Sequence, residues 1–165
     1  GAWARLEPSE KLQIEVEIIF DDPAIGTQKY NYKHENGSFA AELSNARTFC
    51  QLSDVSLMQN AGLALGGSLN NAIVVNQGKI LNKGGLRDED EFARHKVLDC
   101  LGDLFLIGMP VRAKMTASRP GHALSLKLVQ KLLKNQANFE ILEYGKDCGQ
   151  SQSFVIPTLA AANMA

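Results

Sequence analysis

Between Lys11 and Phe20 the chain alternates, with Leu12, Ile14, Val16 and Ile18 set against Gln13, Glu15 and Glu17. A period of two predicts a strand with one wet face. Asp21-Asp22-Pro23 and Gly26 end it in a loop, and Gln28–Tyr32 is its expected hairpin partner. Asn36-Gly37-Ser38 then turns the chain toward a short helix over Phe39–Ala46, with Ser38 as cap. Arg47–Cys50 reads as irregular. A second short helix is expected over Asp54–Ala61, capped by Ser53 and closed by Gly62. The glycine-bearing, uncharged stretch Leu63–Asn71 reads as backbone packed closely against something. Ala72–Val75 and Lys79–Leu81 are expected strands joined by a tight turn at Asn76-Gln77-Gly78.

The strongest helical pattern lies over Leu86–Asp103. Asp88 with Glu91 three residues later forms an Asp-x-x-Glu start signal. Phe92, Leu98, Leu101 and Phe105 supply an apolar side, and the pattern stops near Gly108-Met109-Pro110. Val111–Ala117 reads as a strand. Ala123–Leu133 reads as a helix with Leu124, Leu128 and Leu132 inward and Lys127, Lys131 and Lys134 in water. Phe139–Tyr144 is the last expected strand. Hairpins recur and no regular βαβ rhythm appears. The expectation is therefore an α+β fold, a two-layer sandwich of helices on antiparallel or mixed sheet. Residues 1–145 are expected to form the domain and 146–165 a disordered C-terminal tail.

The 165 residues suffice for one core, and a net charge of −1 offers no basic field for nucleic acid or an anionic surface. No apolar run reaches membrane-spanning length and no signal peptide is read at the N-terminus. Cys50, Cys100 and Cys148 are odd in number and widely spaced, which fits a reduced, cytoplasmic protein.

Chemistry concentrates on one helical stripe. His95 and Asp99 are four apart, and Asp99 and Asp103 are four apart again. Side chains at i and i+4 sit over one another, so an imidazole and a carboxylate can reach one ion. Nitrogen and oxygen ligation suits Zn²⁺, but a catalytic zinc site needs three protein ligands. Asp103 is about 12 Å along the axis from His95, too far for a shared ion but placed to hold a second histidine. His122, after Pro120-Gly121 at a helix start, is either a third ligand or an acid–base group. His34 lies in a polar turn and reads as idle. The plain alternative for the stripe is a solvated charged face.

Several segments in order resemble a known family. Ala46-Arg47-Thr48-Phe49, Gly62–Ser68, Asn71–Val75, Leu86-Arg87 through Asp103-Leu104 with His95-Lys96-x-x-Asp99, and Gly121-His122-Ala123-Leu124 are similar to the second half of UDP-3-O-acyl-N-acetylglucosamine deacetylase. The resemblance runs from about Leu12 to about Glu143. That family hydrolyses the acetamide of its UDP-sugar substrate in the committed step of lipid A synthesis in Gram-negative bacteria. The resemblance implies two similar domains, of which this chain would be the second. His95 and Asp99 would bind Zn²⁺, while a third histidine and a general-base glutamate would come from the first domain. His122 would be the general acid, Asp103 its carboxylate partner, and Thr48 the hydroxyl that polarises the carbonyl. Lys96 would contact substrate, Phe20 stack on uracil, and Phe49 lie against the glucosamine end. Leu52, Val55, Ala64, Ser68, Ala72 and Val74 would line the acyl-chain passage. Arg119-Pro120 stands where Lys-Ser is common, which keeps a charge for the diphosphate but changes its geometry. A His is common where Asp22 precedes Pro23. Two other readings remain open from the residues alone: a self-contained metallohydrolase with His122 as third ligand, and a non-catalytic docking domain.

Overall fold

The computed structural model describes residues 1–144, 152–158 and 163–164. Its elements in chain order are β1 (Trp3–Pro8), β2 (Gln13–Ile19), β3 (Thr27–Lys33), β4 (Thr48–Gln51), α1 (Leu52–Asn60), β5 (Ala72–Asn76), β6 (Lys79–Ile80), α2 (Glu91–Leu104), β7 (Ala113–Ser118), α3 (His122–Leu133), β8 (Phe139–Tyr144), β9 (Gln152–Pro157) and β10 (Asn163–Met164). The main sheet is mixed, in the order β10-β1-β7-β2-β3, with β2 parallel to β7 and antiparallel to β3. A smaller sheet, β4-β5-β6, pairs β4 parallel to β5, and β8 and β9 form a separate antiparallel pair. Helices α2 and α3 pack on the main sheet, giving the expected α+β sandwich.

Burial follows the alternation. Ile14, Val16 and Ile18 of β2 are buried against Phe92, Ala93 and Val97 of α2 and Leu128 and Leu132 of α3, within one core. Leu128 and Val129 sit inside while Lys127, Lys131 and Lys134 are exposed. On α2 the inner face is Phe92, Val97, Cys100, Leu101 and Leu104. Phe105, expected inside, is 69% exposed. The α-helix passes into a 3₁₀ turn at Phe105–Ile107, and the tighter winding carries Phe105 off the stripe and Ile107 onto it.

The predicted ends of the short elements shift. Arg47–Cys50 is not irregular: Thr48–Gln51 is a strand, because its backbone pairs with Ala72–Val75. The helix expected over Phe39–Ala46 is a single π turn, Phe39–Leu43. Ser38 does not cap it; its hydroxyl accepts from the Glu35 N–H and donates to the Glu35 carbonyl, closing the preceding turn. Nor does Ser53 cap α1, which starts two residues earlier than expected, at Leu52 after Gln51. Gly62 does close α1. At φ +73° it lets Leu63 N–H reach the Met58 carbonyl and its own N–H reach that of Gln59, the paired bonds of a Schellman end. Part of the expected tail is ordered: β9 runs through 152–157, Val155 is wholly buried, and its backbone bonds Pro110 and Arg112. The consecutive Phe154, Val155 and Ile156 supply the strand's apolar content, with Val155 turned inward. Residues 145–151, including Cys148, lie outside the described residues.

The β5–β6 turn is a tight hairpin tied to the end of β2. Gln77 and Gly78 both take positive φ, +48° and +81°, as a two-residue hairpin turn of the right twist requires. The Asp22 carboxylate accepts from the Gly78 N–H at 3.0 Å and from the Ala24 N–H, tying this turn to the end of β2. A Cβ on Gly78 would stand 3.0 Å from Pro23 Cγ. Gly78→Ala is expected to cost about 1–2 kcal/mol in urea unfolding, from the left-handed backbone alone; an unchanged midpoint would show that the turn relaxes freely.

Candidate metal and proton-transfer site

Four side chains of α2, Glu91, His95, Asp99 and Asp103, are spaced by one turn and share a stripe. The middle two form the polar centre. His95 Nε2 stands 3.3 Å from Asp99 Oδ1. His95 Nδ1 faces the Ala46 carbonyl at 3.3 Å. With Nδ1–H donated there, the Nε2 lone pair is left free. Burial pushes the His95 imidazole below its ordinary value, against the opposing pull of Asp99 and of the Ala46 carbonyl. A neutral, backbone-oriented imidazole beside a carboxylate is what a divalent metal ligand pair requires. Asp99 Oδ2 accepts from Lys96 Nζ at 3.0 Å, which fixes the carboxylate with Oδ1 turned toward the imidazole. Nitrogen and oxygen donors of this kind fit Zn²⁺. Among the described residues no three His, Cys, Asp or Glu side chains are gathered to hold a metal, so the fit is that of two ligands.

The outer carboxylate meets the second histidine. Asp103, 8% exposed, lies 3.0 and 3.1 Å from His122 Nδ1 through its two oxygens. The imidazole sits at the first turn of α3, and its Nε2 is 4.0 Å from Asp99 Oδ1. With Nδ1–H directed at Asp103, Nε2 is the atom able to hold or release a proton toward the His95–Asp99 pair. Gly121, in extended backbone, precedes the ring as the N-cap of α3.

Phe49 joins the site to the core. Its ring meets Phe92 edge-on at 4.9 Å, Phe20 at 5.4 Å and His95 at 6.1 Å, and Lys96 Nζ lies 5.7 Å above it. Phe20 is 37% exposed, and Thr48 is exposed at the start of β4. Arg119 is held in left-handed backbone (φ +51°) at the turn into α3, its N–H donating to the Glu17 carbonyl. Beside Thr48 and Phe49 opens a cavity of about 710 Å³. Leu52, Val55, Ala64, Ser68, Ala72 and Val74 all line it. Met58, Gln59, Leu69, Asn71 and Leu81, which the sequence did not single out, line it too. The Leu63–Asn71 loop that closes one side is held by Asn71, whose side chain accepts from the Ser68 N–H and donates to the Gly66 carbonyl.

Two sequence readings are corrected here. Glu91 does not act in a capping box with Asp88. The helix begins at Glu91 itself, and the carboxylate is wholly buried against Arg47. The visible signal was its place one turn before His95 on the same stripe. His34 is exposed but not idle, since its Nδ1 pairs with the buried Tyr32 hydroxyl at 2.9 Å. Cys50 and Cys100 are free thiols, both pushed up by burial, Cys100 to about 12. Neither is a nucleophile at neutral pH.

Comparison with known proteins places these residues in a wider frame. The family model for UDP-3-O-acyl N-acetylglycosamine deacetylase matches residues 1–134. A UDP-3-O-acyl-N-acetylglucosamine deacetylase from Psychrobacter arcticus is 46% identical over 144 residues, covering 86% of this chain and 45% of the relative. One from Nitratiruptor sp. is 45% identical, with 86% and 47% covered. One from Nitrosococcus oceani is 42% identical, with 89% and 49% covered. The chain spans about half the length of the curated relatives it matches.

Proposed function

Since this chain belongs to the UDP-3-O-acyl N-acetylglycosamine deacetylase family, we propose that it carries about half of a zinc-dependent amide hydrolase. The substrate would be UDP-3-O-acyl-N-acetylglucosamine and the products acetate and the free amine, the committed step of lipid A synthesis in the cytoplasm of a Gram-negative cell. The observation that carries this reading is the relay His95–Asp99···His122–Asp103, two ligand atoms beside an oriented imidazole. His95 Nε2 and Asp99 Oδ1 would hold Zn²⁺, with a further histidine and a general-base glutamate supplied by a second domain. The ion would supply a water of lowered pKa and polarise the acetyl carbonyl.

This chain's own residues do the rest. The Thr48 hydroxyl donates to the carbonyl oxygen as it gains negative charge. His122 Nε2 gives its proton to the departing amine, and Asp103, 3.0 Å from Nδ1, fixes the ring. Lys96 neutralises Asp99 and offers charge to the substrate. Phe20 and Phe49 give aromatic faces for the uracil and the sugar, and Arg119 a charge for the diphosphate. The 710 Å³ cavity beside Thr48, lined mostly by apolar and small residues, takes the acyl chain. No helix among the described residues is long and apolar enough to cross a membrane. Alone, the chain would be inactive.

The 4.0 Å approach of His122 Nε2 to Asp99 favours one second reading, in which His122 is itself a zinc ligand. Calorimetric zinc titration separates the two. Two-ligand binding is expected to be weak, about micromolar or worse, with Asp99→Ala abolishing it. Tight one-to-one binding that His122→Ala weakens would move His122 from acid to ligand. Zinc binding indifferent to Asp99→Ala would reject both and leave a non-catalytic docking domain.

A further inference from the structure

We propose that the buried Arg47–Glu91 ion pair is a positioning device that sets the strand carrying Thr48 against the helix carrying His95 and Asp99. The inference rests on the hydrolase reading above for its purpose, but its geometry stands apart from the metal. Glu91 is wholly buried and the Arg47 side chain is 9% exposed. Both carboxylate oxygens are filled. Oε1 accepts from Arg47 N–H at 3.0 Å and Nε at 2.8 Å; Oε2 accepts from Arg47 Nη2 at 2.9 Å and Arg87 N–H at 2.7 Å. Arg47 Nη2 also donates to the Gly85 carbonyl. The guanidinium fork thus binds one carboxylate in the planar two-point manner that a lysine could not reproduce.

The residues on either side of Arg47 are the ones the site uses. Ala46 presents its carbonyl to His95 Nδ1, and Thr48 opens β4 at the cavity. Glu91 lies one turn before His95, so a clamp at 47–91 fixes the neighbouring contact at 46–95 in register. Two further arginines bond the approaching segment from the same helix end: Arg94 Nη1 to the Glu42 carbonyl and Arg87 Nη1 to that of Asn45. The rail therefore runs from 42 to 48. A buried ion pair is a poor way to gain stability over apolar packing, and in some proteins such a pair fixes one arrangement of the chain against another. Here that arrangement is which carbonyl meets the His95 ring and where the Thr48 hydroxyl stands.

The test is the double variant Arg47→Met/Glu91→Gln of this chain. It removes both charges while the amide keeps an oxygen for a backbone N–H. The expected result is a folded protein whose crystal structure shows the Ala46 carbonyl and His95 Nδ1 drawn apart beyond hydrogen-bonding distance. Zinc affinity is expected to fall 10–100-fold relative to the unaltered chain, the usual effect of losing a ligand's orienting partner. A folded variant that keeps the Ala46–His95 contact overturns the proposal. So does a variant that fails to fold, which would make the pair a plain requirement of the fold. If the unaltered chain binds no zinc, the hydrolase reading fails, while the carbonyl-to-imidazole separation still decides the positioning role.

Discussion

His122→Ala, in the protein with both halves of the site present, is expected to lower kcat about 10²–10⁴-fold, the usual contribution of a positioned general acid. The apparent affinity for substrate should change little, because a proton given to the leaving amine is a transition-state interaction. The prediction follows from the ring's placement. Its Nδ1 is committed to Asp103 at 3.0 Å and its Nε2 points toward the His95–Asp99 pair. The loss should be in turnover with zinc content unchanged, measured by metal analysis alongside steady-state kinetics. Asp103→Asn should show a smaller loss in the same direction, since it keeps an acceptor for the ring's Nδ1–H but removes the carboxylate charge beside it. A His122→Ala enzyme with kcat within a few-fold of the original would remove His122 from the chemistry. One that lost zinc as well as turnover would make it a ligand.

Glu91→Ala is expected to destabilise the chain by about 3–5 kcal/mol, the cost of leaving one partner of a buried ion pair alone. That is a large part of the stability of a domain this size, and urea unfolding of the two proteins measures it. Three donors of Arg47 and one of Arg87 would lose their acceptor at once. The same carboxylate ties stability to pH. Burial alone would raise it, but the Arg47 guanidinium and the Arg87 and Arg47 N–H groups outweigh that and hold it below its ordinary 4.5. A carboxyl depressed in the folded state contributes stability that is complete above pH 4.5 and disappears as pH falls through the folded value. The unaltered chain should therefore lose stability in acid more steeply than Glu91→Ala, and parallel pH profiles would show that folding does not shift this carboxyl.

These two predictions fall on opposite sides of what sequence reading could reach. His122 and Asp103 were both visible. Helical spacing put Asp103 on the stripe of His95, and a glycine before His122 marked a helix start. The bond between them needed the packing of α3 beside α2, which no local pattern encodes. Glu91 was visible only as a start signal. An acidic residue three after Asp88 fits a cap equally well, and nothing near it in sequence shows that Arg47, 44 residues away, turns inward to meet it.

Elements whose partner is local were legible from the chain itself. The β2–β3 hairpin, the Gly62 helix end, the β5–β6 turn and the faces of α2 and α3 depend on periodicity and on glycine's access to positive φ. Elements that exist through distant backbone pairing were not. β4 is only four residues long, β1 alternates only from Ala4 to Glu7, and β9 lies in a segment that looks like a tail. β1 and β4 are strands because β7 and β5, far along the chain, share their hydrogen bonds, and β9, paired with its neighbour β8, is tied through Val155 to the distant Pro110 and Arg112. Sequence alone determined the α+β class, the His95–Asp99–Asp103 stripe, and the small residues of the cavity wall. Tertiary structure alone decided that the Ala46 carbonyl orients His95, that Asp22 anchors the Gly78 turn, and that Arg47 closes on Glu91. Those are contacts between residues far apart in the chain, where burial rather than local propensity selects the partner.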